Sequence, residues 1–211
     1  SLFGVSVSDA YCKVAKSIVS EQACAGKKIY CNDSFDSSLS GWNSSKDKLS
    51  IKDGQMCFSK PLQSLNQCSM NMNQSDYVVK LDDVVLNKGD GYGVFIRAKD
   101  DGKGLNGYIL QYDPGLKSNN NKNGALIIRK WINGREIVEP IASAPLNGSD
   151  TYNTPHDIEV SAEGNVLTVT VDGKKVLTAQ DDTYASGGSG IRSWDGTSAC
   201  MGNFSILEPP K

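Results

Sequence analysis

One histidine in 211 residues, no C-x-x-C pair and no G-x-S-x-G segment remove several chemistries together. A Cys/His zinc site would have to be built mostly from thiolates. A Ser-His-Asp arrangement would have to use His156, which stands between Pro155 and Asp157 with no nucleophile elbow to serve it. No apolar run reaches the 18 residues of a membrane helix, so no membrane contact is expected within this chain. Basic residues are scattered, in runs no longer than two, and 22 Lys and Arg against 24 Asp and Glu leave a net charge of -2, which argues against nucleic acid or an anionic surface as partner. There is no long linker and no internal repeat. The chain starts at Ser1 without an initiator Met, which leads us to expect a processed or shortened polypeptide.

What is present is an even set of six cysteines, at positions 12, 24, 31, 57, 68 and 200. Three disulfides in an oxidising compartment, free buried thiols and a metal site are the three readings such a set allows. The first places the chain outside the cytoplasm, secreted or on a cell surface. N-x-S/T sequons begin at Asn32, Asn43, Asn73, Asn147 and Asn203, although a chain this rich in Asn and Ser produces such matches by chance.

Hydrophobic periodicity divides the chain at about residue 28. In segment 1–28, Val7, Tyr11, Val14, Ala15, Ile18 and Val19 recur at spacings of three and four, one apolar stripe on a short amphipathic helix. Ser6 or Ser8 caps its start, and Ala25-Gly26 marks its stop. So short a helix needs a partner surface, either the following domain or another subunit. In segment 29–211 the period is two. "YVVKLDDVVL", "GYGVFIRAK", "GYILQYD", "GALIIRKW", "HDIEVSAEG", "NVLTVTVDG", "KKVLTAQ" and "CMGNFSIL" read as strands separated by Gly, Asn and Asp turns. Asn133-Gly134 and Asp172-Gly173 read as tight hairpins, because both positions of such a turn need positive φ. The expectation is an all-β, two-sheet antiparallel sandwich with a short N-terminal α-helix, its most exposed insertion being loop 114–123.

Four segments occur in order: "DSFDSSLSGWNSSKDKLSIKDGQMCFS", "GYGVFIRAKDDGKGLNGYILQYDP", "HDIEVSAEGNVLTVTVDGKKVLTA" and "GSGIRSWDGTSACMGNFSI". Over roughly residues 30–207 this resembles the concanavalin A-like lectin/glucanase group, especially LamG-like and levan-binding-type carbohydrate-binding modules. The resemblance implies a jelly roll whose first and last strands lie side by side, and a role in binding glycans or other extracellular ligands. It therefore implies a Cys31–Cys200 pair. Cys57 and Cys68 flank a Pro61-containing turn region and are expected to bridge a hairpin, which leaves Cys12 with Cys24. Twelve helical residues span about 18 Å, so a helix would have to end or turn between those two. Related modules hold a structural calcium near the first and last strands, and Asp33 and Asp36 are the matching carboxylates; Asn203 stands where an Asp is common.

Two chemistries follow. Glycoside hydrolysis needs two carboxylates across one bond. The nearest stretch, with Asp157, Glu159 and Glu163, departs from the Glu-x-Asp-x-x-Glu pattern of related laminarinase-type enzymes, so a solvated strand face is expected and no catalytic residue is assigned. Glycan binding needs aromatic faces beside hydroxyl-seeking polar groups. Arg129 with Trp131, and Arg192 with Trp194 and Asp195, supply both, while Arg97 and Gln111 are isolated polar residues in apolar strands that could share one concave face. The alternative for these residues is a core role, with the tryptophans packed inside and the arginines paired to acids. The function expected is a non-catalytic, adhesin-like module for a glycan or cell-surface ligand. The rivals are a minor subunit of a type IV pilus-like filament, assembled through the N-terminal helix, and a glycoside hydrolase of the same fold.

Overall fold

The computed structural model describes residues 28–210, apart from 37, 43–46, 73, 119–121 and 149. The expected N-terminal helix and the Cys12–Cys24 pair fall outside the described residues. In the remainder the period of two becomes an antiparallel sandwich. The first strands are β1 (Ile29–Asp33), β2 (Leu49–Lys52), β3 (Gln55–Phe58) and β4 (Leu62–Leu65), followed by a single helical turn, α1 (Gln67–Met70). The long strands β5 (Tyr77–Lys88), β6 (Tyr92–Asp100), β7 (Leu105–Asp113) and β8 (Ala125–Ile132) come next, then the short β9 (Arg135–Glu136) and β10 (Ala142–Pro145). The chain closes with β11 (Pro155–Glu163), β12 (Val166–Val171), β13 (Lys174–Gln180), β14 (Gly188–Ser193), β15 (Ser198–Met201) and β16 (Asn203–Leu207).

One sheet runs β13-β12-β11-β5-β15-β3-β2, with β16 joining β5 to β1. The other runs β10-β8-β7-β6-β14-β4, with β9 added on β8. Successive residues of a strand point to opposite faces, so each central strand feeds two layers. On β7, Tyr108, Leu110 and Tyr112 point into the core between the sheets, together with Val94 and Ile96 of β6 and Leu126 and Ile128 of β8. From the opposite face of the same sheet, Phe95, Ile109 and Trp131 form a second apolar cluster with Leu65, Ala98 and Leu105. Phe95 and Ile109 are fully buried there. The outer face of this sheet is therefore not an ordinary solvated one. Both expected hairpins form with positive φ at each central residue: 50° and 75° at Asn133-Gly134, 49° and 73° at Asp172-Gly173.

Among the described residues two disulfides are present, paired differently from expectation: Cys31–Cys68 and Cys57–Cys200. The first and last strands do lie side by side, with Cys31 opposite Ile206. Cys200, however, belongs to β15, which pairs with β3 and sets Cys200 directly opposite Cys57, Cα to Cα 4.1 Å. The Pro61 region is not a hairpin turn either. It carries the chain from one sheet to the other, so Cys68 on α1 sits beside β1, with its Cα 6.0 Å from that of Cys31.

Candidate functional site

The hairpin around Asn133-Gly134 builds the site. A two-residue turn sets Ile132 opposite Arg135 and Trp131 opposite Glu136. Opposed residues share a face, as do residues two apart. Arg129, Trp131 and Glu136 therefore project together from the outer face of the seven-stranded sheet. Gln111 on β7 lies opposite Ile127, whose face matches that of Arg129, and Arg192 on β14 lies opposite Gly93 of β6.

These side chains converge on one carboxylate. Arg129 donates through Nη1 to Glu136 Oε1 at 2.5 Å, while Arg192 Nη1 and Gln111 Nε2 donate to Oε2 at 2.5 and 2.6 Å. Charge-assisted bonds are roughly twice as strong as those between neutral groups. The Arg192 guanidinium also lies over Trp131, 4.7 Å from the ring centroid, and over Trp194 at 5.2 Å. Planar guanidinium over an indole face gains from the ring quadrupole, the more so when partly desolvated. The side chains of Arg129, Arg192 and Glu136 keep only 13%, 22% and 19% of their exposure. Three polar atoms here, Arg129 Nε, Gln111 Oε1 and Trp131 Nε1, are buried without a hydrogen-bond partner. Burying such groups without a protein partner is costly.

The sequence expectations divide at this site. Gln111, Arg129, Trp131, Arg192 and Trp194 come together. Trp131 does so as a buried ring, 4% exposed, packed edge-on against Phe95 at 5.4 Å, rather than as an open platform. Trp194 is half-buried against the main core. Asp195 sits in the following turn, exposed, with its Oδ1 on the Gly196 N–H. Arg97 does not share the face of Gln111. It occupies a β-bulge with φ 51°, and its side chain is buried in bonds to the Ser75 carbonyl, the Tyr184 carbonyl and the Asp76 carboxylate. The bulge is what re-aims it, and a bulge is invisible to a strict period of two.

Glu136, the centre of the network, was missed. Its signal was available: the Asn-Gly turn fixes the register that puts Glu136 opposite Trp131.

The other candidates lie elsewhere. Asp33 accepts the Phe35 N–H and the Trp42 indole N–H, at 3.1 and 2.8 Å, and Asp36 accepts the Ser34 hydroxyl. Among the described residues no group of three His, Cys, Asp or Glu is placed to hold a metal. Asp157 and Glu159 sit on β11 of the nine-stranded sheet, alternating with the core residues Ile158 and Val160. His156 opens β11, bridging the Asp172 carboxylate and the Asp150 carbonyl at 2.7 Å each. Burial alone would lower its pKa, but these two acceptors outweigh it and raise the pKa.

This is the concanavalin A-like lectin/glucanase architecture. The family described as the 3-keto-alpha-glucoside-1,2-lyase-like domain matches residues 31–199, and the chain belongs to it. Similar solved structures include the carbohydrate-binding module CBM66 from Bacillus subtilis, 20% identical, covering 80% of this chain and 96% of that one with a TM-score of 0.60. The Bacillus licheniformis β-glucanase is 12% identical over 87% and 99% of the two chains, with a TM-score of 0.59. The VIP36 exoplasmic/lumenal domain, in a Ca2+/Man3GlcNAc-bound form, is 9% identical over 88% and 91%, with a TM-score of 0.65. No curated protein matches the chain by sequence. Family and structural neighbours thus include both enzymes and binding modules.

Proposed function

We propose that this chain is an extracellular, non-catalytic carbohydrate-binding module whose ligand face is the outer face of the seven-stranded sheet. The observation that carries the reading is the half-buried Arg129–Glu136–Arg192–Gln111 network set against Trp131 and Trp194. Desolvating three charges away from the main core is costly, and the fold does not need them there. Convergent donors beside a partly exposed aromatic ring, here Trp194, are what a sugar ring requires, its hydroxyls for the former and its C–H face for the latter, while Trp131 supports Arg192 from below the surface. Carbohydrate-binding neighbours support the class of ligand. Two disulfides support an oxidising location, and no described helix is long and apolar enough to cross a membrane. The test is a broad glycan array probed with the wild type and with Arg192→Met, which keeps an unbranched side chain but loses the guanidinium donors. A hit that the folded variant loses supports the reading; hits retained by the variant refute it.

The second reading is a glycoside-acting enzyme, favoured by the family description and the glucanase neighbour. Glu136 is the carboxylate such a reaction would use on this face, yet both its oxygens are engaged by cationic or amide donors. Release of reducing ends from β-glucans or α-glucosides, abolished by Glu136→Ala, would establish that reading instead. The filament-subunit alternative rests on the N-terminal helix, and nothing in the fold or in the similar proteins supports it.

A further inference from the structure

Glu136 is held as a ligand would be held. Donors from three strands, β7, β8 and β14, meet at its two oxygens. The carboxylate itself comes from β9, a two-residue edge strand at the sheet margin. From these features we infer that the glycan bound at this face is acidic, a uronic-acid-type sugar whose carboxylate takes the place of Glu136 between Arg129 and Arg192. The inference rests on the outer face being the ligand site, as proposed above.

Four observations converge on it. The receptor already has carboxylate geometry, because it grips one with a guanidinium on each side. Guanidinium groups carry five donors each, and Arg129 and Arg192 each place one on Glu136, leaving further donors for an incoming anion. Two guanidiniums face one carboxylate, so the network keeps a positive charge in excess. Asp113 also faces this side, at the end of β7, and offsets part of that charge through its electrostatic interaction with Arg129, while its Oδ1 accepts the Leu116 N–H and caps a turn. Finally, Gln111 and Trp131, 1% and 4% exposed, retain an unpartnered Oε1 and Nε1 inside the network. The internal carboxylate leaves them unsatisfied; sugar hydroxyls beside a ligand carboxylate have the donors and acceptors to satisfy them. Glu136 needs only side-chain rotation to leave, since its backbone pairing with Trp131 is independent of its rotamer.

Titration of the wild-type chain with oligogalacturonate, a neutral β-glucan oligosaccharide and dextran sulfate, read by calorimetry and by indole fluorescence, tests this. Oligogalacturonate is expected to bind and to perturb the fluorescence, because Arg192 stacks on two indoles. Glu136→Gln, which keeps the side chain's shape but removes the competing charge, is expected to bind oligogalacturonate about tenfold more tightly and the neutral oligosaccharide no better. Should Glu136→Gln unfold, Arg192→Met and free glucuronate as competitor give the same discrimination on folded protein. Neutral oligosaccharide binding that is lost in Arg192→Met, with no response to the uronate, overturns the acidic preference but leaves the site in place. Dextran sulfate binding in preference to the uronate overturns it in favour of sulfated chains. No binding of any probe overturns the inference and the proposed face together.

Discussion

Trp131→Ala separates a packed aromatic from an open binding platform. A buried Trp removes up to about 250 Å² from water. At about 25 cal/mol per Å² that corresponds to an upper figure of about 6 kcal/mol. Alanine keeps part of this, and the site lies on an outer sheet face where neighbours can relax inward. Arg192 would lose one of its two indole partners, adding a smaller penalty. The expected loss is therefore about 3–5 kcal/mol. For a chain of this size each kcal/mol moves the melting temperature by about 2–4 °C, so a fall of roughly 6–20 °C is expected. Guanidinium unfolding followed by circular dichroism, with both disulfides intact, measures it. Trp131→Phe, which preserves the edge contact to Phe95 while leaving a smaller void, should lose about 1–3 kcal/mol. A loss below about 1 kcal/mol for the alanine variant would refute the reasoning, because only an exposed ring is that cheap to remove.

Replacing Cys57 and Cys200 together by Ala is expected to cost about 2–5 kcal/mol, and peptide mapping without reduction should recover Cys31 with Cys68 and Cys57 with Cys200; a Cys57–Cys68 peptide would contradict the strand order. Arg97→Ala strips three acceptors of a buried donor, so it should cost roughly 3 kcal/mol while leaving glycan affinity per folded molecule unchanged; weaker binding by folded protein would place Arg97 in the site after all. The raised pKa of His156 contributes stability fully present below about pH 6.5 and lost as pH rises through the folded-state value. Denaturation midpoints should thus fall, relative to those of His156→Gln, as the pH rises above about 6.5; parallel profiles would sink this assignment. Asp181 behaves oppositely. Burial would raise its pKa, but bonds from Lys130, Thr183 and Tyr108 outweigh this and hold it well below the usual carboxylate range. Its contribution is present above about pH 4 and lost as pH falls below that, so Asp181→Asn should flatten the acid limb of the stability profile.

What the sequence by itself determined was local. Alternation on β7 and β8 marked the strands, and the Asn133-Gly134 and Asp172-Gly173 pairs marked the hairpins, because those signals need only neighbours along the chain and the steric demand for positive φ. Gln111 was legible as an isolated polar residue in an apolar strand, and Arg129 with Trp131 and Arg192 with Trp194 were legible as strand-end cations beside aromatics. Only the tertiary structure decided which of these meet. Arg97 left the group because a bulge rotated it into bonds with Ser75, Asp76 and Tyr184. Glu136 joined it because hairpin register and the β7-β6-β14 order bring three strands' donors within 2.6 Å of its carboxylate. The cysteines show the same division. Their even number announced bridges, but partner choice depends on which strands a sandwich makes adjacent, and β15 beside β3 is a long-range pairing that no local pattern encodes.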